Sequence, residues 1–237
     1  MFRLIRWLLA PIVIIALLFI GANILAARVA ENKIASTLQS TFHLSSKPAV
    51  HISGFPIILD VLGGHVPRVS FQASGATFEG LDLSGIDVTL VDVRAAGGSF
   101  FSGSLRVKVG AGTVKAHATN AAVNAYLNDH GQNATIAFHK GVATVHATRT
   151  FRGRARRFVA TGTVAREGTS FVFRPDRVTV DGSAPPPGLE QAAEQKVTIR
   201  VQLPKLPGGV SSYRIEAVEG AATIVAVLHD QLLDLSG

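Results

Sequence analysis

Apolar and polar residues alternate with a period of two along most of this chain. The alternation covers Val66 to Ala73, Ile86 to Val93, Leu105 to Val109, Ala134 to Phe138, Val142 to Thr148, Phe158 to Val164 and Val197 to Leu203. Successive side chains of an extended strand point to opposite faces, so each run has one face to bury and one to solvate. Many such short runs in succession predict antiparallel sheet. Gly63-Gly64, Gly97-Gly98, Gly131, Gly141, Gly168 and Gly208-Gly209 supply turns between them. The predicted fold class is mainly β with some helix (α+β).

Three stretches depart from that period. Ala30, Ile34, Leu38 and Phe42 recur every four residues, with Glu31, Lys33, Ser36 and Gln39 on other faces, which predicts a long amphipathic helix. Thr119-Asn120 can cap a short helix over Ala121 to Leu127 that Asn128 or Gly131 ends. A third, Gly188 to Lys196, follows Pro185-Pro186-Pro187, a stiff connector because proline cannot donate to a sheet ladder.

The N-terminus sets where such a domain works. Arg3 and Arg6 precede an uncharged, mostly apolar run from Trp7 to Ala27. That is long enough to cross a bilayer as a helix, and the positive-inside tendency keeps both arginines cytoplasmic. The expectation is a single-pass plasma-membrane anchor over residues 1–27 and an extracytoplasmic domain over residues 28–237 in the cell envelope or periplasm. Ala22, Ala26 and Ala27 stand near the end of the run, but Ile24 and Leu25 interrupt a cleavage pattern, so an uncleaved anchor is favoured over a signal peptide and a secreted domain. About 210 residues remain, enough for one domain with one core.

Composition narrows the chemistry. The formal net charge is +7, and the remainder stays basic without Arg3 and Arg6. With no cysteine there is no disulfide scaffold, no thiolate nucleophile and no thiolate metal ligand. G-x-S-x-G, Walker A, H-E-x-x-H, EF-hand and G-x-G-x-x-G patterns are all missing. His139 and His146 flank the Gly141 turn and would face one another across a hairpin, but two imidazoles without a third ligand make a poor metal site. Asp82, Asp87 and Asp92 share one alternating region without the convergence an acid–base pair needs. The reading is a non-enzymatic binding protein without cofactor or metal.

Two features point to lipid. Many alternating positions are small, namely Ala73, Ala76, Ala116, Ala118, Ala137, Ala143, Ala147, Ala160, Ala217, Ala221 and Ala222, which either lets a helix pack closely or leaves a groove for acyl chains. In the groove reading, Ile34, Leu38 and Phe42 of the helix line it together with Ala137 and Ala147. Arg149, Arg152, Arg154, Arg156 and Arg157 gather around Gly153 as a basic hairpin tip. Arginine forks suit phosphate oxygens, so Arg152, Arg154, Arg156 and Arg157 are candidates for headgroup or membrane contact, with Phe151 and Phe158 dipping beside them. Nucleic acid is not the expected partner of an exported domain. Gly54 and Pro56 make a rigid strand exit that projects Phe55 and Ile57 as an apolar tip for a membrane or a lipid groove.

Two segments carry a family resemblance. The first is Val50-His51-Ile52-Ser53-Gly54-Phe55-Pro56 with Leu59, Leu62-Gly63-Gly64 and the run from Val66 to Phe71. The second is Leu203-Pro204-Lys205-Leu206-Pro207-Gly208-Gly209-Val210, then Tyr213 to Val218, Gly220 and a last strand to Leu228. Their order, behind an N-terminal anchor and amphipathic helix, resembles the LmeA-like family of actinobacterial envelope proteins. The resemblance implies phospholipid binding, a tubular-lipid-binding type of fold in which a curved antiparallel sheet wraps around a long helix, and a link to assembly of envelope glycolipids such as lipomannan. The alternatives are a structural or interaction protein of the envelope with a solid core and, behind it, an enzyme acting on envelope glycolipid.

Overall fold

The computed structural model describes residues 2–41, 44–54, 59–60, 63–78, 80–96, 106–151, 153–168, 170–202 and 212–234, with side chains in the first helix described from Phe19 to Ser40. The expected contacts Phe42, Phe55, Ile57 and Arg152, and the segment from Leu203 to Val210, lie outside the described residues.

Helix α1 (Phe2–Thr41) runs without a break across the expected boundary at residue 28. Strands β1 (Ala49–Ser53), β2 (His65–Ala73), β3 (Ala76–Phe78), β4 (Leu81–Leu83), β5 (Gly85–Ala95) and β6 (Arg106–Thr119) lead into helix α2 (Asn120–Asp129). Next come β7 (Ala134–His139), β8 (Val142–Phe151), β9 (Arg154–Glu167) and β10 (Ser170–Val180). Helix α3 (Glu190–Val197), β11 (Arg200–Gln202), β12 (Ser212–Val218) and β13 (Ala221–Asp234) complete the chain. The strands form two larger antiparallel sheets, ordered β1-β2-β5-β6-β13-β12 and β11-β10-β9-β8-β7, and β3 pairs with β4.

The six-stranded sheet is creased across its strands. Pro67, Asp92, Gly110 and Asp230 occupy the skipped position of one row, between pairs such as Arg68 with Val91 and Val66 with Val93. Each of these strands carries one residue that does not pair, so register survives while the in–out alternation inverts. Leu90 and Val93 therefore face the same side, and so do Val109 and Val114. Beyond the crease, Ile52, Val66, Val93, Val107 and Val109 form an apolar cluster against Ala27, Ala30 and Ile34 of α1. Glu31 accepts a hydrogen bond from the Ile52 amide at 2.9 Å and tethers the free edge of β1 to the helix.

The expectation of one sheet wrapped around α1 needs correction. The curved sheet does receive α1, but a second sheet packs on the other half of the same face. Its core consists of Phe138, Ala143, Val145, Ala147, Phe158, Ala160 and Phe173, covered by Ala193 and Val197 of α3 and by Leu127 of α2. The His139–His146 expectation also changes: register places His139 opposite Val142 and His146 opposite Thr135, and His139 bonds Glu219 at 3.0 Å.

Candidate functional site

The two sheets do not close fully on each other. Between them lies a cavity of about 330 Å³, within the usual range for ligand pockets. Register explains the space. The row Ala118, Ala222 and Ala217 and the row Ala116, Ile224 and Ile215 place alanines where the sheet faces its partner. Opposite stand Ile136, Phe138, Val164, Phe171, Phe173, Ile199 and Val201 from the five-stranded sheet.

Helix α2 closes one end. Thr119 caps it by accepting from the Ala122 amide at 3.2 Å. Asn120 and Asn124, one turn apart, present their amides to the free edge of β7. Asn120 accepts from the Phe138 amide at 3.0 Å, and Asn124 accepts from the Ile136 amide at 2.7 Å and donates to its carbonyl at 3.0 Å. These bonds satisfy an edge strand and fix Ile136 and Phe138 facing the cavity. Leu127, Val123 and Tyr126 complete that end, and Leu44, Phe78, Leu81 and Leu83 close one side.

The other end is the row Val114, Ala226 and Tyr213. Phe171 meets the Tyr213 ring edge-on at 5.7 Å between centroids, and the Arg166 guanidinium lies 4.1 Å from the centre of that ring. Among the described residues the lining holds no charged side chain, and only Thr77, Tyr126 and Tyr213 bring polar atoms to it. Such a surface binds by removing apolar area from water, with orientation left to the polar groups at its ends.

The residues expected to line a groove are placed elsewhere. Ile34 packs in the cluster beyond the crease, because Leu90 and Leu228 fill the space over Gly112 between that cluster and the cavity. Leu38 is half-buried on α1 and is not part of the lining. Ala147 is buried in the packed core. Ala137 faces the opposite side of β7 from Ile136 and Phe138, as strand parity demands. That parity was the signal for the correct pair: the bulky neighbours of Ala137, not Ala137 itself, point inward.

The arginine cluster is partly neutralised. Arg156 donates to Asp181 at 2.6 Å and the Arg157 amide donates to the same carboxylate at 2.9 Å. The Arg156 bond, then the Arg157 amide, hold the Asp181 carboxyl below its ordinary range. Arg149 reaches the Asn133 carbonyl at 2.6 Å, and Arg154 is exposed. Phe158 cannot dip into a membrane, being fully buried with Phe151 edge-on at 5.7 Å.

A hydroxyl–imidazole–carboxylate chain does occur. His117 bonds Thr223 through Nδ1 at 3.0 Å and Asp87 through Nε2 at 3.1 Å. It lies on the outer face of the six-stranded sheet, since His117 alternates with the cavity residues Ala116 and Ala118. The buried, apolar space is thus separated from the side chains closest to catalytic form.

Comparison with known families decides what that space belongs to. A family model described as LmeA-like phospholipid-binding matches residues 21–226. The chain belongs to the LmeA-like phospholipid-binding family. The match includes the five-stranded sheet, α2, α3, the six-stranded sheet except the end of β13 beyond residue 226, and every residue of the cavity lining, so this LmeA-like chain carries its cavity within the family's own extent. No match is found among curated proteins or among solved structures.

Proposed function

We propose that the protein binds a phospholipid, or a related acylated lipid of the cell envelope, without covalent chemistry, its acyl chain lying between the two sheets. The observation that carries this is the cavity lining, apolar from Leu127 to Val201 and widened by Ala116, Ala118, Ala222 and Ala226. Eight buried methylenes at about 0.8 kcal/mol each would contribute about 6 kcal/mol before ordering costs. The alternative of a solidly packed interaction protein is less well supported, because its core would leave no such space. The glycolipid-acting enzyme is less well supported too, as the lining carries no acid or base.

Membrane attachment through residues 7–27 belongs to the same proposal. Among the described residues no helix is long and apolar enough to cross a membrane, and the expected span falls mostly on residues 7–18, whose side chains are outside the description. What supports the anchor is the continuation: Phe19, Ile20, Ile24, Leu25 and Val29 are exposed on α1, with Leu25 at 64% and Val29 at 68%. Apolar exposure on that scale suits a helix leaving a bilayer. In this proposal Arg3 and Arg6 stay cytoplasmic by the positive-inside tendency, which leaves the domain on the outer side to support assembly of envelope glycolipids of the lipomannan type. Extraction of the full chain from membranes, followed by mass spectrometry of the organic extract, tests the lipid reading. A stoichiometric acylated lipid is expected; a lipid-free protein at full recovery contradicts it.

A further inference from the structure

The cavity ends where two leucines meet. Three inward rows of the six-stranded sheet line it: Ala118 with Ala222, then Ile86, Ala116, Ile224 and Ile215, then Val114, Ala226 and Tyr213. The next inward row is Leu90, Gly112 and Leu228, which lies outside the lining. A Cβ at Gly112 would stand 2.9 Å from Leu90 Cδ2 and 3.0 Å from Leu228 Cδ1, so the two side chains converge over the glycine from the strands on either side of it. Leu228 is buried, and Leu90 packs against the cluster beyond the crease. That cluster is apolar as well, with Val93, Val107 and Val109 against Ala30 and Ile34 of α1. One pair of leucine tips therefore separates two apolar bodies on one face of one sheet. The opposite end has a different kind of wall, helix α2, held by the Thr119 cap and by the Asn120 and Asn124 bonds to β7.

We propose that Leu90 and Leu228 are the specificity-determining residues of the cavity and together set the longest acyl chain it accepts. The inference rests on the lipid reading above and adds chain length to it. From the Ala118 row to the Val114 row the strand rises by about 14 Å, at about 3.4 Å per residue. That is close to one leaflet's share of a hydrocarbon core about 30 Å thick, so an acyl chain of membrane length laid along these rows reaches the leucine pair. A longer chain meets methyl groups in a close-packed interior, where forcing side chains aside costs more than one further buried methylene returns. Truncating either leucine opens the way into the α1 cluster, where added methylenes find apolar neighbours instead of a wall.

The test incubates the full chain in detergent with an equimolar mixture of lysophosphatidylcholines carrying decanoyl, lauroyl, myristoyl, palmitoyl and stearoyl chains. Lipid retained after repurification is measured by mass spectrometry. The wild type is expected to show a preferred length, with retention falling severalfold beyond it. Leu90→Ala and Leu228→Ala should each move that preference about two to three carbons longer, the bulk of the isopropyl group removed. Leu228→Val should move it less while keeping more of the packing. Ala226→Leu, which adds bulk to the last lined row, should move it shorter. Val109→Ala, which loosens the α1 cluster on the far side of the pair, should leave it in place. An unchanged preference in folded Leu90→Ala and Leu228→Val, or the same lengthening in Val109→Ala, overturns the leucine stop while the lipid reading stands. Retention of every length alike by the wild type does the same. Retention of no lysophospholipid by the wild type overturns both.

Discussion

Asp92 and Asp230 lie at one level of the six-stranded sheet, on strands separated by β6, and both have positive φ, 54° and 45°. Between them Gly110 leaves room for the Asp92 carboxylate: a Cβ there would stand 3.0 Å from Asp92 Oδ2. Asp92 also bonds His65 at 2.9 Å and Arg94 at 3.0 Å. This crease lets one sheet serve two packing partners, α1 on one side and the second sheet with its cavity on the other.

The crease makes a prediction about backbone strain. Aspartate tolerates the left-handed region far better than a β-branched residue does. Asp230→Val should therefore cost about 1–2 kcal/mol more than Asp230→Gly in denaturant unfolding. Equal costs would show that the positive φ is not a constraint there.

A second backbone contact is tighter. Any Cβ at Gly162 would overlap the Arg174 carbonyl, where β9 meets the irregular step of β10 at Pro175. Gly162→Ala should destabilise the domain by about 3 kcal/mol, near the upper end for overpacking, whereas Gly85→Ala, whose Cβ would meet nothing closer than 3.7 Å, should cost far less. A Gly162→Ala variant of wild-type stability would remove the contact from the account.

Acid should act at two exposed carboxylates. Hydrogen bonds from Arg174, then Arg200, hold Glu167 below its ordinary range, as Arg156 does for Asp181. Lowered folded-state values favour the charged form, so the stability they contribute is present above about pH 4.3 and 3.9, the unfolded values. It is lost as pH falls through the folded ones. Carbon-13 carboxyl titration should give both groups depressed midpoints, and Arg174→Gln should raise that of Glu167 alone.

Topology is testable without the cavity. If Arg3 and Arg6 stay inside, protease added to intact spheroplasts should digest the domain and spare cytoplasmic markers. Protection of the full chain would place it on the other side.

Much of the secondary structure was legible because its signals are local. Thr119 caps α2 as its hydroxyl predicts, and β2, β5, β7 and β8 contain the alternating runs from which they were expected. β10 is not legible as a strand, because Pro175 sits inside it and Ser170 to Phe173 are buried on both faces, which erases the alternation. The two packing partners of the six-stranded sheet depend on the crease, and Pro67 and Asp92 of that crease lie inside runs that read as unbroken alternation. The cavity is legible only in part: of the eleven small positions Ala76, Ala116, Ala118 and Ala222 line it, whereas Ala73, Ala137, Ala143, Ala147, Ala160, Ala217 and Ala221 do not. Counting small residues marks strands with room beside them; only register tells which face that room is on.

The central claim is that lipid occupies the space between the sheets, and the most direct measurement is lipid bound per protein across two substitutions of the full chain. Ala116→Phe fills the cavity from its alanine-lined wall, and Ala137→Phe adds the same bulk to the opposite face of β7. The account predicts that lipid recovered by mass spectrometry falls severalfold in Ala116→Phe and stays at the wild-type level in Ala137→Phe, with both variants folded. Equal recovery from the wild type and a folded Ala116→Phe variant would contradict it.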